Sequence, residues 1–211
     1  MQLTREGCAA RRARLIEQTH VELLVLANPR HVFYYSGLRS SELSLAGWGP
    51  VYLLIERDGS STLIAHNFAS GAAEGAAVDR REVWSWYDVS TTSGVPVWQG
   101  GAAACRRLVR ELLPQTGREA DRPSIGFESG FLPIDALPDP SRLHLVDVTA
   151  AIMSSRRQKH ADELDAIRRR GDSGSESRSR RLSRGLRRAA RRRLRGRVGP
   201  SRRSRAGTGA P

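Results

Sequence analysis

The stretch that most restricts the fold is Val21 to Leu38, VELLVLANPRHVFYYSGL, an apolar run that breaks at Asn28-Pro29 and resumes as an aromatic segment closed by Gly37. Leu23, Leu24, Val25 and Leu26 are consecutive apolar residues, which suits a strand covered on both faces. Pro29 fits the first helical position, where its missing N–H would have no partner, and Asn28 before it is a favoured cap. The stretch therefore predicts strand, cap, short helix and glycine stop.

The remaining elements alternate in the same way. Thr4 to Gln18 predicts an amphipathic helix with Thr4 as cap and Glu6 in the first turn, Ala9, Ala13 and Ile16 along one side, and Arg11, Arg12 and Arg14 in solvent. Arg39 to Pro50 is a Ser- and Gly-rich loop. Val51 to Glu56 and Thr62 to Ala65 form a hairpin around Asp58-Gly59. Phe68 to Ala77 reads as a short helix, and REVWSWYDV after it as a strand with Val83 and Trp86 prominent. Thr91 to Gly101 is loop. Gly101 to Leu113 is a helix with Ala104, Leu108 and Leu112 inside and Arg106, Arg107 and Arg110 outside. Ser124 to Glu128 and Leu143 to Val148 are short strands flanking a Pro-bracketed turn at Phe131 to Leu137, and Ala150 to Arg170 is a connecting turn followed by a helix from about Ala161. The expectation is an α/β fold with a mixed β-sheet flanked by helices.

Charge divides the chain sharply. Of the net +13, residues 171–211 carry +12, from fourteen Arg and no Lys against Asp172 and Glu176, which leaves +1 for residues 1–170. That Arg-rich, low-complexity tail has too little apolar surface to offset its ordering entropy and is expected to be disordered. Its Arg, Gly, Ala, Pro and Ser are also what an out-of-frame reading of GC-rich DNA produces, and it interrupts a helix that should continue. Its charge binds phosphate non-specifically; no specific nucleic-acid partner is predicted. No run approaches the roughly 18 apolar residues of a membrane span, and the N-terminus lacks a signal-peptide core, so a cytoplasmic protein without membrane contact is expected. Cys8 and Cys105 lie far apart without metal-ligand neighbours and read as small buried hydrophobes in a reducing compartment.

Chemistry is sparse at the level of motifs. His20, His31, His66, His144 and His160 show no recognised metal spacing, and His160-Ala-Asp-Glu lacks the second histidine of a zinc helix. A Gly-rich phosphate loop and a nucleophile elbow are both missing. Trp84, Trp86 and Tyr87 at strand spacing suggest one core and two covering side chains more than a stacking platform.

Two segments nevertheless resemble a known family. RRARLIEQTHVELLVLANPRHVFYYSGL, with Glu22 to Val25, Asn28-Pro29 and Tyr34-Tyr35-Ser36-Gly37 in order, resembles the opening of the pita-bread peptidases, which include aminopeptidase P, prolidase and creatinase. Val146-Asp147, then Arg157-Gln158-Lys159 and Asp162 to Arg169, resembles the junction at which their N-terminal domain hands over to the catalytic one, with His160-Ala161 in place of the usual Ser-Pro. The resemblance covers residues 5 to 170. It implies a ribonuclease-H-like creatinase N-terminal domain over residues 1–153, a linker and first helical turns of a missing catalytic domain over 154–170, and the basic tail over 171–211. In most full-length relatives two divalent metal ions, held by carboxylates and a histidine of the catalytic domain, activate water for amide cleavage. Beyond Arg170 this sequence has no His, one Asp and one Glu, so no catalytic residue, metal ligand or cofactor is expected here. What the resemblance leaves is a non-catalytic domain, inactive alone, that forms homo-oligomers and covers a neighbouring active site with the loop after Leu38, where Arg39, Glu42 and Trp48 can meet a carboxylate, a cation or a ring. A nucleic-acid-associated protein using the tail, and one half of a split amidohydrolase or aminopeptidase, are the alternatives.

Overall fold

In a computed structural model the described residues are 3–39, 50–86, 97–113 and 122–169, without the side chains of 97 and 98. The chain divides into two compact units, residues 1–166 and 167–211, and only 167–169 of the second are described. Elements follow the order α1 (Arg5–Thr19), β1 (Leu23–Leu26), α2 (Pro29–Ser36), β2 (Tyr52–Glu56), β3 (Ser61–His66), α3 (Ser70–Glu74), β4 (Arg80–Trp84), α4 (Val97–Leu112), β5 (Ser124–Phe127), β6 (His144–Asp147) and α5 (Thr149–Arg157). Residues 161–169 are again helical and are called α6.

The six strands form one mixed sheet in the order β4-β3-β2-β1-β5-β6. β1 and β2 pair antiparallel, as do β2 and β3, whereas β3–β4, β1–β5 and β5–β6 are parallel. The two pairing senses therefore meet at β1 and again at β3. Every residue of β1 is buried, as the unbroken apolar run predicts. Leu24 and Leu26 face a core shared with Leu53, Ile55, Leu63, Leu15, Val32, Tyr35 and Ile152, from α1, α2 and α5. Leu23 and Val25 face the opposite core, with Leu54, Ile64, Ile125 and the α4 residues Cys105, Leu108 and Val109.

The caps of α2 are those read from sequence: the Asn28 side chain accepts from the Arg30 N–H at 3.1 Å, Pro29 opens the helix, and Gly37 closes it at φ 69°. Both cysteines are buried and free, and burial pushes the Cys105 thiol up to about 12.

Four expectations need correction. In α1 the inward face is Cys8, Arg11, Arg12, Leu15 and Ile16, while Ala9 and Ala13 are exposed. α4 starts at Val97 and not at Gly101. The supposed connecting turn after Ala150 belongs to a nine-residue helix, α5, entered through Asp147, whose carboxylate accepts the Thr149 N–H at 2.9 Å. On β4 it is Trp84 that packs against the α4-side core; Val83 is exposed, and Trp86 lies beside Phe68. Tyr87 lies outside the described residues.

Candidate functional site

The C-terminal end of α2 leaves carbonyls that have no partner within the helix, and each one is accounted for. Phe33 O accepts the Gly37 N–H at 2.7 Å, and Ser36 O accepts the Ala77 N–H at 2.7 Å. Between them, Tyr34 O accepts from Arg11 Nε at 2.9 Å and Tyr35 O from Arg12 Nη1 at 2.9 Å. Two cations of α1 thus sit at the negative end of the α2 dipole, which is why arginine occupies the inward face of a helix. The apolar stripe from Cys8 to Leu15 does run through positions 11 and 12, and that spacing was the available signal.

Arg11 is fully buried and its charge requires a partner in the same place. Asp162, in the first turn of α6, supplies it: Arg11 Nη1 donates to Oδ1 at 2.7 Å and Nη2 to Oδ2 at 3.3 Å. Asp162 Oδ2 also accepts the Thr4 N–H at 3.0 Å, and His160 Nδ1 lies 3.0 Å from Oδ1. Burial alone would raise the Asp162 carboxyl, but the Arg11 and Thr4 hydrogen bonds outweigh it and hold the group down at about 2. Such close approach depends on Gly7, where an added Cβ would overlap the Asp162 carboxylate. Glu163 completes the joint. Its Oε2 accepts the Tyr34 hydroxyl at 3.0 Å and the His160 N–H at 3.0 Å, the second contact being the return half of a capping box. Burial first, then the Glu163 carboxylate, pushes the Tyr34 hydroxyl well above its ordinary range.

A second polar group lies at the carboxyl ends of the parallel strands β1 and β5, the position where open α/β sheets place ligands. Glu128 follows β5 directly, is buried, and accepts the Asn28 N–H at 3.2 Å while hydrogen-bonding His31 Nδ1. Arg156 Nη1 lies 2.9 Å from His31 Nε2. A guanidinium only donates, so Nε2 accepts and the ring proton sits on Nδ1, facing the carboxylate. The Arg156 guanidinium also lies 5.6 Å from the Tyr34 ring centre and that of Arg11 4.9 Å, so the tyrosine links the two groups.

Among the described residues no group of three or more His, Cys, Asp or Glu is placed to hold a metal ion. Each buried carboxylate among them is engaged by arginine, histidine, tyrosine or backbone N–H, so these residues do not fit a two-metal site. Of the loop residues singled out from sequence, Arg39 is exposed two residues after Gly37, and Glu42 and Trp48 lie outside the described residues. The structure does not bring the five histidines together: His31 joins Glu128, and His160 joins Asp162. The sequence does not mark Glu128, Asp162 and Glu163 as site residues, because each meets a partner about 100 to 160 positions away.

A mixed sheet covered by helices on both sides, with a polar joint among α1, α2 and α6, defines an α/β domain. The chain belongs to the creatinase/prolidase N-terminal domain family, whose model matches residues 10–158. Its fold is similar to dipeptidase PepE from Mycobacterium ulcerans (TM-score 0.52, 19% identity, 85% of this chain and 44% of that one). It is also similar to the prolidase from Thermococcus sibiricus (TM-score 0.54, 16% identity, 79% of this chain and 40% of that one). The chain therefore spans less than half the length of either enzyme. No curated protein sequence matches it. Among the described residues no helix is long and apolar enough to cross a membrane.

Proposed function

We propose that the chain is a non-catalytic supporting domain of an Xaa-Pro peptidase- or creatinase-like hydrolase. It is inactive alone, associates with copies of itself, and presents the segment beginning at Arg39 to a neighbouring active site. One observation supports the non-catalytic part of this reading: the buried carboxylates Glu128, Asp162 and Glu163 all tie parts of the fold together, Glu128 at the start of α2 and Asp162 and Glu163 between α6, α1 and α2. The sequence beyond Arg170 adds no His and only Asp172 and Glu176. Two divalent metal ions, as in most full-length relatives, would have to be held by another chain or domain.

The test is to assay the purified chain on Xaa-Pro dipeptides and on creatine, with and without added manganese, and to measure its mass by sedimentation. No turnover and a dimer or larger species are expected. Metal-dependent cleavage by the chain alone would overturn the non-catalytic role, and a monomer at every concentration would overturn the association. The net +12 of residues 171–211 favours an additional, non-specific affinity for nucleic acid that falls steeply with salt.

A further inference from the structure

We propose that Arg11 is a positioning residue that couples the start of α6 to the end of α2, so that the last turn of α2, and with it the backbone leading to Arg39, is held more tightly while Asp162 is seated. The inference deepens the supporting role above by naming the residue through which one part of the domain controls another.

One planar guanidinium reaches both sides. Its Nε donates to Tyr34 O while Nη1 and Nη2 grip the Asp162 carboxylate. The fork is planar and rigid, so the placement of its Nη end and that of its Nε end are not independent. If Asp162 leaves, two terminal nitrogens of a fully buried cation lose their hydrogen-bond acceptor, and what remains beside them is the Cys8 sulfur 3.2 Å from Nη2 and the Glu163 carboxylate 3.9 Å from Nη1. A guanidinium that turns to close on Glu163 draws Nε away from the Tyr34 carbonyl and weakens that bond. Tyr34 is tied to the same segment a second time, because its hydroxyl donates to Glu163. Its neighbour Tyr35 is held differently: Arg12 binds the Tyr35 carbonyl and also the Ala77 carbonyl at 2.7 Å, with no link to Asp162 or Glu163. The α2 terminus therefore has one support that depends on α6 and one that does not. Unseating Asp162 should loosen this turn without dissolving the sheet.

Amide hydrogen exchange on the whole chain tests the coupling. The readout is Gly37, whose N–H bonds Phe33 O, and Leu38, whose N–H bonds Ser36 Oγ at 3.2 Å. Leu53 and Ile55 in β2 are the internal reference. Two variants unseat Asp162 by different means: Asp162→Asn weakens its charge-assisted bonds, and Gly7→Ala keeps every charge but fills the space the carboxylate occupies. Each should speed exchange at Gly37 and Leu38 by about tenfold while leaving Leu53 and Ile55 within about twofold of the parent. Unchanged exchange at Gly37 and Leu38 in both variants would overturn the proposal. So would an equal acceleration at Leu53 and Ile55, which would mean global destabilisation. A chain that proved catalytic or monomeric would defeat the supporting role and leave this result untouched.

Discussion

The α4 face of the sheet and the face under α1, α2 and α5 are built from alternate residues of the same strands, yet among the described residues only the second contains buried ion pairs. On the α4 face, Leu108, Val109 and Cys105 meet Leu54, Ile64 and Ile125, and attraction there is non-directional. Such packing stabilises without choosing among many similar arrangements. On the other face Arg11, Asp162, Glu163, His31 and Glu128 impose geometry as well, since each has to meet its several partners in one orientation. The difference suggests a division of labour in which one face supplies stability and the other fixes where α2 and α6 begin and end.

The largest expected effect is on the polar face. Arg11→Met leaves Asp162 buried without its main partner and should cost about 3–5 kcal/mol in urea unfolding. Leu108→Ala, on the apolar face, should cost about 3 kcal/mol through lost transfer energy and a cavity. The two should differ in kind: Leu108→Ala should leave Gly37 and Leu38 exchange unaltered relative to the rest of the sheet, and Arg11→Met should not. If both variants loosened the α2 terminus equally, the contrast between the faces would be wrong.

Acid should also distinguish the faces. Asp162 is held at about 2, below its ordinary 3.8, so it contributes stability that is present above about pH 4 and is lost as pH falls through about 2. The contribution is about 2 kcal/mol, and it should be missing from Asp162→Asn, so the stability gap between parent and variant should close over that window. A gap that stayed constant with pH would show that Asp162 is not held as its contacts imply. The smallest effect is at Gly37, where alanine must adopt φ 69°; its Cβ would meet Cys8 Sγ at an ordinary 3.6 Å, so only backbone strain of about 1 kcal/mol is expected.

What could be read from sequence follows the range of the physical signal. β1, the caps of α2 and the Asp58-Gly59 hairpin are specified by neighbouring residues and were recovered with nearly correct limits. The direction of Arg11 and Arg12 was not, because their acceptors lie 23 or more positions away and a charged residue by default faces water. α5 was hidden for another reason. Its segment TAAIMSSRR has only Ile152 fully buried among its apolar residues, too thin a stripe to mark a helix, although Asp147 two residues before Thr149 was a usable start signal. The resemblance to the family located α6 but could not show that its first turn closes onto α1.

The most direct test of the account is a double-mutant cycle on Arg11→Met and Asp162→Leu, read by urea unfolding of the parent, both single variants and the pair. Each single change leaves a buried charge without its main partner, whereas the double change removes both, so the pair should lose far less than the sum, with a coupling of about 3 kcal/mol. Losses that add to within about 0.5 kcal/mol would contradict the central claim that this ion pair organises the polar face.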